Sequence, residues 1–221
     1  MIMMNVREAL EVSRTFGFLG PGPVDGHIRH AEGFAAAIEQ GLSLLRDLAN
    51  LPPQPPAEKI VLRCADLGTG GGVPGLALLE HFPAWNWVFV DSAEKRMSVV
   101  NGLVDELGFR GRCEIRTGRA EILARWPELR ESFDVVVARG FAGPAVTAEC
   151  AAPLLRVGGL LIVSDPPTET GRWNDEGLAT LGLSKLFQID EPFRFFGAVQ
   201  NAVCPDRYPR RVGIPSKRPL F

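Results

Sequence analysis

Five of the ten residues from Asp66 to Gly75, DLGTGGGVPG, are glycine, and they lie between an apolar run (Ile60–Leu67) and a helical pattern (Gly75–His81). Few arrangements use so much bare backbone at that junction. Gly70–Gly75 fits G-x-G-x-x-G. Its glycines allow a tight turn, remove side chains that would block a ligand, and expose N–H groups at a helix start. The motif by itself promises only room for a nucleotide-like ligand. No Lys-Ser/Thr pair follows the loop, which excludes a P-loop NTPase.

The rest of the chain fits that reading. Apolar runs at Trp85–Val90, Arg112–Arg116, Phe133–Ala138 and Leu160–Val163 alternate with helical stretches at Ala93–Leu107, Arg119–Trp126 and Pro144–Leu155. Strand and helix in alternation predict an α/β fold with a parallel sheet covered on both faces. Two later runs, Leu183–Ile189 and Phe195–Cys204, are joined by DEPFR and predict an antiparallel pair closing one sheet edge. Ahead of the first strand come a weak helix over residues 5–16 and a clear one from Asp25, with Ile28, Ala31, Phe34, Ala35, Ile38, Leu42, Leu45 and Leu48 at helical spacing. LPPQPP (Leu51–Pro56) stops that helix and reads as a stiff linker, so residues 1–56 form a small helical N-terminal extension and 57–221 the main domain.

Composition narrows the function classes. A net charge of −2 gives no general attraction to nucleic acid, so such a partner would need a local basic patch. The four cysteines (Cys64, Cys113, Cys150, Cys204) are scattered, without a C-x-x-C pair, which argues for packing roles, no metal and a reducing cytoplasm. Charged residues interrupt the N-terminal stretch where a signal peptide needs an apolar run, and no apolar window is long enough to span a membrane.

Two cofactors suit the loop, a nicotinamide dinucleotide and S-adenosylmethionine. Both use an acid at the end of the second strand for ribose hydroxyls, here Asp91. Three features favour S-adenosylmethionine. Asp66 stands before the first glycine, where a carboxylate suits a cationic methionyl group better than a pyrophosphate. TGRAEIL (Thr117–Leu123) follows the third strand, where an adenine edge needs backbone partners. PLLRVGGLLIV (Pro153–Val163) reads as a helix end, a glycine turn and a strand. With Gly68 and Gly70, Asp66 and Asp91 are the cofactor-binding candidates.

The stretches DLGTGGGVPG (66–75), VDSAEKR (90–96), GRAEIL (118–123), VVARGFA (136–142) and RYPRRVGIPSKRPLF (207–221) resemble the GidB family of ribosomal RNA small-subunit methyltransferases G, and the tail is the most specific of them. The resemblance implies a class I, Rossmann-like methyltransferase fold. Its sheet is mostly parallel and seven-stranded, with an antiparallel last strand. It further implies S-adenosylmethionine as donor, guanine N7 of 16S ribosomal RNA as acceptor, a monomer, and cofactor contacts from Gly68, Val73, Ala120, Glu121 and Arg139. The chain departs from the family in two places. Gly33 stands where the family's R-H-x-x-D-S has Asp, after Arg29 and His30, and IVSDPPTE (Ile162–Glu169) has no Lys-Gly pair. Asp165-Pro166-Pro167 reads as a turn.

Guanine N7 carries an in-plane lone pair, so its methylation needs alignment more than a base. The chain offers no convincing nucleophile set. Arg139, Phe141 and Asp165 are the acceptor-site candidates. His30 reads as half-buried, while Lys95 and Arg96 read equally as a solvated helix face or a site. For RNA the candidates are Arg207, Arg210, Arg211, Lys217 and Arg218, with Tyr208 and Phe221 as stacking surface. Other readings are a divergent paralogue acting on a small molecule or protein, a non-catalytic S-adenosylmethionine-binding protein and, more distantly, a nicotinamide oxidoreductase. Gly68→Asp is expected to abolish activity with little loss of fold.

Overall fold

The computed structural model describes residues 4–49, 61–166 and 171–221. The LPPQPP linker, the boundary at residue 56 and the start of the first predicted strand lie outside the described residues. Seven strands form one sheet: β1 (Arg63–Leu67), β2 (Asn86–Asp91), β3 (Cys113–Thr117), β4 (Phe133–Arg139), β5 (Leu155–Ser164), β6 (Leu183–Ile189) and β7 (Phe195–Gln200). Their order is β3-β2-β1-β4-β5-β7-β6. β1 to β5 pair in parallel, and β7 runs antiparallel to both β5 and β6. This is the doubly wound sheet expected from strand–helix alternation, with the antiparallel last strand. The central strands are buried along nearly their whole length, which is why they read as continuous apolar runs rather than alternating ones.

Helices cover both faces. α1 (Val6–Thr15), α2 (Val24–Leu48), α3 (Gly75–His81) and α4 (Glu94–Glu106) cover one; α5 (Ala120–Leu123), α6 (Pro144–Ala151) and α7 (Asp175–Ala179) cover the other, and α8 (Ile214–Lys217) contacts α6. A reciprocal capping box between Asn5 and Glu8 starts α1. The apolar stripe seen in the sequence of α2 is its buried face. Phe34 and Ile38 are fully buried and share one core with Leu76, Phe89, Leu160 and Ile162, so the N-terminal helices supply part of the main core. The guanidinium of Arg112 ends α3 by donating to the carbonyls of Leu79 (2.9 Å), Phe82 (3.2 Å) and Trp85 (3.2 Å).

Several boundaries differ from expectation. α5 ends at Leu123 rather than Trp126, because Pro127 disfavours helical geometry at the residue before it. The glycine turn expected before β5 lies inside the strand: β5 begins at Leu155 and its register against β4 shifts between Phe133 and Val135. β7 ends at Gln200, whose side-chain amide then donates to Leu181 O (2.7 Å) and Ala202 O (2.8 Å). α7, started by Asn174 accepting from Gly177 N–H (2.7 Å), and α8 are too short for periodicity to announce them.

Candidate functional site

Register puts the carboxyl ends of β1, β2 and β4 side by side: Leu67 pairs with both Val90 and Ala138. The residues that follow, Gly68, Asp91 and Arg139, therefore meet at one edge, where the strand order reverses between β1 and β4. Open α/β sheets bind ligands at such a switch point. A cleft of about 290 Å³ lies there, lined by Gly68, Asp91, Ala120, Glu121 and Phe141 among the expected residues, and by Ser92, Arg96, Gly118, Arg119, Gly140 and Ser216. Arg96 thus belongs to the cleft wall. Ser216 comes from the far end of the chain, and no local signal in the sequence marked it.

The glycine loop is held open from several sides. Gly68 adopts φ +80°, and a Cβ there would stand 2.7 Å from the Phe141 ring. Both Gly68 and Thr69 donate to Val90 O, at 2.7 and 3.0 Å. Asp91 receives Gly70 N–H on one oxygen (2.9 Å) and Ala93 N–H on the other (2.8 Å), so it fixes the loop as well as lining the cleft. The N-terminal helices reach the loop too. Ser13 Oγ donates to Gly71 O (2.7 Å), and Phe18 and Leu19 crowd the position a Gly71 Cβ would take.

Asp66 lies fully buried beneath the loop. Its Oδ2 accepts from Thr69 Oγ1 (2.6 Å) and Gly75 N–H (3.0 Å), while its buried Oδ1 has no hydrogen-bond partner among the described residues. Burial pushes this carboxyl up to about 7, against the pull of its hydrogen bonds. Gly70 does not line the cleft, and Val73 is packed into the core at 7% exposure. Glu121 is buried beside the cleft. Its Oε1 accepts from Arg119 (3.0 Å) and from Gly213 N–H in the tail (3.1 Å). Burial alone would raise this carboxyl, but those hydrogen bonds outweigh it and hold it below the usual range.

A second cavity, about 320 Å³, adjoins the cleft and shares Gly140 and Ala142 with it. Arg139 and Asp165 line this second space, whereas Phe141 lines the first, so the structure divides the three acceptor candidates between two neighbouring cavities. Arg139 donates to His27 Nδ1 (2.8 Å), and His27 Nε2 lies 3.2 Å from Gly20 O, an arrangement that requires neutral histidine with its proton on Nε2. Burial and the Arg139 charge both lower the His27 pKa. His30 sits among the rings of Phe34, Phe193 and Phe195, with burial holding its pKa down to about 4. Gly33 is on the same packed face: a Cβ there would stand 2.9 Å from the Phe195 ring, so the family's aspartate does not fit this packing.

The tail is built into the fold. Arg130 donates to Tyr208 O (2.9 Å) and Cys204 O (2.7 Å), and Arg125 to the carbonyls of Arg207 and Pro209. Arg210 grips Glu149, whose side chain is 0% exposed, through its own backbone N–H (2.8 Å), Nε (2.8 Å) and Nη2 (2.6 Å). Arg207, Arg211, Lys217 and Arg218 are exposed, whereas Arg210 is committed to Glu149. Nor do the two tail aromatics offer free stacking faces: Tyr208 is buried, and Phe221 packs onto Gly177. All four cysteines are buried and unbridged, and burial pushes the Cys113 and Cys204 thiols up to about 12, which suits packing rather than nucleophilic roles. Among the described residues no helix is long and apolar enough to cross a membrane.

Comparison with known proteins gives this geometry a family. The model of GidB, rRNA small subunit methyltransferase G, matches residues 48–166. The ribosomal RNA small subunit methyltransferase G of Moorella thermoacetica is 36% identical over 175 residues, covering 75% of this chain and 71% of that protein. That of Synechococcus sp. RCC307 is 34% identical over 178 residues, covering 72% and 71%. Among solved structures, a putative sarcosine dimethylglycine methyltransferase from Galdieria sulphuraria superposes with a TM-score of 0.51 at 15% identity, over 70% of this chain and 65% of that one. A Methanococcus jannaschii fibrillarin pre-rRNA processing protein gives a TM-score of 0.51 at 18% identity, over 66% and 69%. These structural likenesses establish the class I methyltransferase fold, and the sequence matches go further: the chain belongs to the GidB family, the rRNA small subunit methyltransferases G.

Proposed function

We propose that this chain transfers a methyl group from S-adenosylmethionine to N7 of a guanine in 16S ribosomal RNA. The observation that carries the reading is the pair of adjoining cavities at the switch point: one walled by Gly68 and Asp91, the other by Arg139 and Asp165, meeting at Gly140 and Ala142. A donor and an acceptor base need such neighbouring pockets.

The residues fit the cofactor. Asp66, buried behind the loop with its Oδ1 unpaired among the described residues, becomes complementary to a cationic methionyl end once it gives up its proton. Asp91 spends one acceptor site per oxygen on backbone N–H groups, and a carboxylate has about four, so it retains capacity for ribose hydroxyls. Gly118 and Ala120 bring backbone and a small side chain to the cleft wall, where a flat adenine would lie. Bound there, S-adenosylmethionine supplies an electrophilic methyl on a sulfonium. The chain's own contribution is alignment. Guanine N7 needs no deprotonation, so holding the base in line with the methyl group accounts for the catalysis expected of this site. Arg139, oriented by His27, borders the acceptor cavity and would contact the base or its phosphate.

Lys217 follows Ser216 of the cleft wall directly in the chain, and with the other exposed tail cations, Arg207, Arg211 and Arg218, it would follow the RNA backbone. The relatives' names favour ribosomal RNA over a small-molecule or protein acceptor. The test is methyl transfer into unmodified small subunits and naked 16S RNA, read by nucleoside mass spectrometry. Methyl on guanine N7 is the expected product. Methyl on another base, or on small molecules only, overturns the acceptor assignment, and calorimetry showing binding of NAD but not S-adenosylmethionine overturns the cofactor.

A further inference from the structure

We propose that Trp173 is the stacking platform on which the acceptor purine lies; the inference rests on the reading of the second cavity as the acceptor site. Trp173 lines that cavity, and two contacts fix its indole plane. One face is stacked on Phe196 of β7, ring centroids 3.9 Å apart and planes 4° from parallel. Its Nε1 donates to Asp165 Oδ2 at 2.7 Å. Phe196 is fully buried, so the pair is a rigid floor rather than a mobile side chain. Trp173 itself is only half-buried. With one face covered by Phe196, the other is the face left for a base in the cavity, which Arg139 and Pro144 also line and which shares Gly140 with the cofactor cleft.

The chemistry gives an indole there a specific purpose. As the N7 lone pair forms the new N–C bond, the C–S bond breaks and its electron pair goes to sulfur. The positive charge of the sulfonium therefore passes to the purine. An electron-rich indole face attracts a cationic ring more strongly than a neutral one, and tryptophan does so better than phenylalanine. Stacking on Trp173 thus binds the base and strengthens as charge arrives on it, which lowers the barrier as well as holding the ground state. Asp165 serves as the positioning residue that keeps the indole flat against Phe196.

The experiment uses the full chain in three forms: wild type, Trp173→Phe and Trp173→Leu. Base–aromatic stacking energies predict a loss of about tenfold or more in kcat/KM on unmodified 16S RNA for Trp173→Leu, with Trp173→Phe retaining most of it. S-adenosylmethionine affinity should be unchanged in both, because Trp173 does not line the cofactor cleft. A second readout needs no turnover. In a Trp126→Phe background the remaining tryptophans besides Trp173 are the buried Trp85 and Trp87. There, 7-methylguanosine monophosphate should quench tryptophan fluorescence more strongly than guanosine monophosphate, and Trp173→Leu should remove the difference. Equal turnover of wild type and Trp173→Leu, or quenching that persists without Trp173, overturns the proposal. Should Trp173→Leu fail to fold, Trp173→Phe in the quenching assay decides it. Absence of any rRNA methylation by wild type would refute the acceptor reading, and the quenching result would still decide the platform.

Discussion

Replacing Arg210 by Met tests whether the basic tail is a binding arm or a structural clasp. In the fold the Arg210 guanidinium makes two hydrogen bonds to the fully buried carboxylate of Glu149 and one to Arg218 O (2.7 Å). Methionine preserves the aliphatic stem and the backbone N–H bond to Glu149 but removes every side-chain donor. Breaking a buried pair from one side costs about 3–5 kcal/mol, because the remaining charge stays desolvated without compensation. The Arg210 side chain is 26% exposed, so water can partly replace it and the lower figure, about 3 kcal/mol, applies. For a chain of this size that is a fall in Tm of roughly 6–12 °C. Equilibrium urea denaturation and thermal scans measure it, with Arg211→Met as the exposed control expected to stay within about 0.5 kcal/mol. The double variant Glu149→Met/Arg210→Met removes both charges and should recover most of the loss. A cost below about 1 kcal/mol for Arg210→Met, or equality with Arg211→Met, refutes the reasoning.

Removing Arg211 and Lys217 together should weaken RNA binding without loss of stability, and should flatten the dependence of log affinity on log salt by about 0.7 per lost contact on a single strand; an unchanged slope sends the RNA elsewhere. Gly68→Ala should cost about 1–2 kcal/mol from its positive φ alone, and its Cβ would displace the Phe141 ring that lines the cleft, so calorimetry should show S-adenosylmethionine affinity falling at least tenfold. The larger Gly68→Asp must therefore lose stability as well as activity, contrary to the sequence-based expectation, and wild-type stability in denaturation would contradict this. Asp66, pushed up to about 7, keeps its proton in the folded chain between about pH 4 and 7 while the unfolded chain has lost it. Stability therefore falls as pH rises through that window, and Asp66→Asn should flatten that part of the stability–pH profile. Cofactor binding at pH 6 should release a proton, visible as a calorimetric enthalpy that depends on the buffer; an enthalpy independent of buffer argues against a cation near Asp66.

The sheet, the glycine-rich turn after its first strand and the family are legible in the amino-acid sequence alone. Strands buried on both faces must be apolar throughout, and a tight turn into a helix favours glycine, so the strand runs, Asp66–Gly75 and Gly118–Leu123 stand out locally. Tertiary structure decided what depends on partners distant in the chain. Whether Arg210 meets solvent or a carboxylate turns on Glu149, 61 residues earlier. Arg139 is oriented by His27, 112 residues away. Gly33 leaves no room for a side chain because the Phe195 and Phe193 rings fill that space. Trp173 lies in no periodic stretch of the sequence, and the stack that defines its plane forms only where β7 brings Phe196 against it. Periodicity reports the burial of each residue's own face, whereas charge pairing, ring stacking and steric exclusion are properties of two surfaces that meet only in the folded chain.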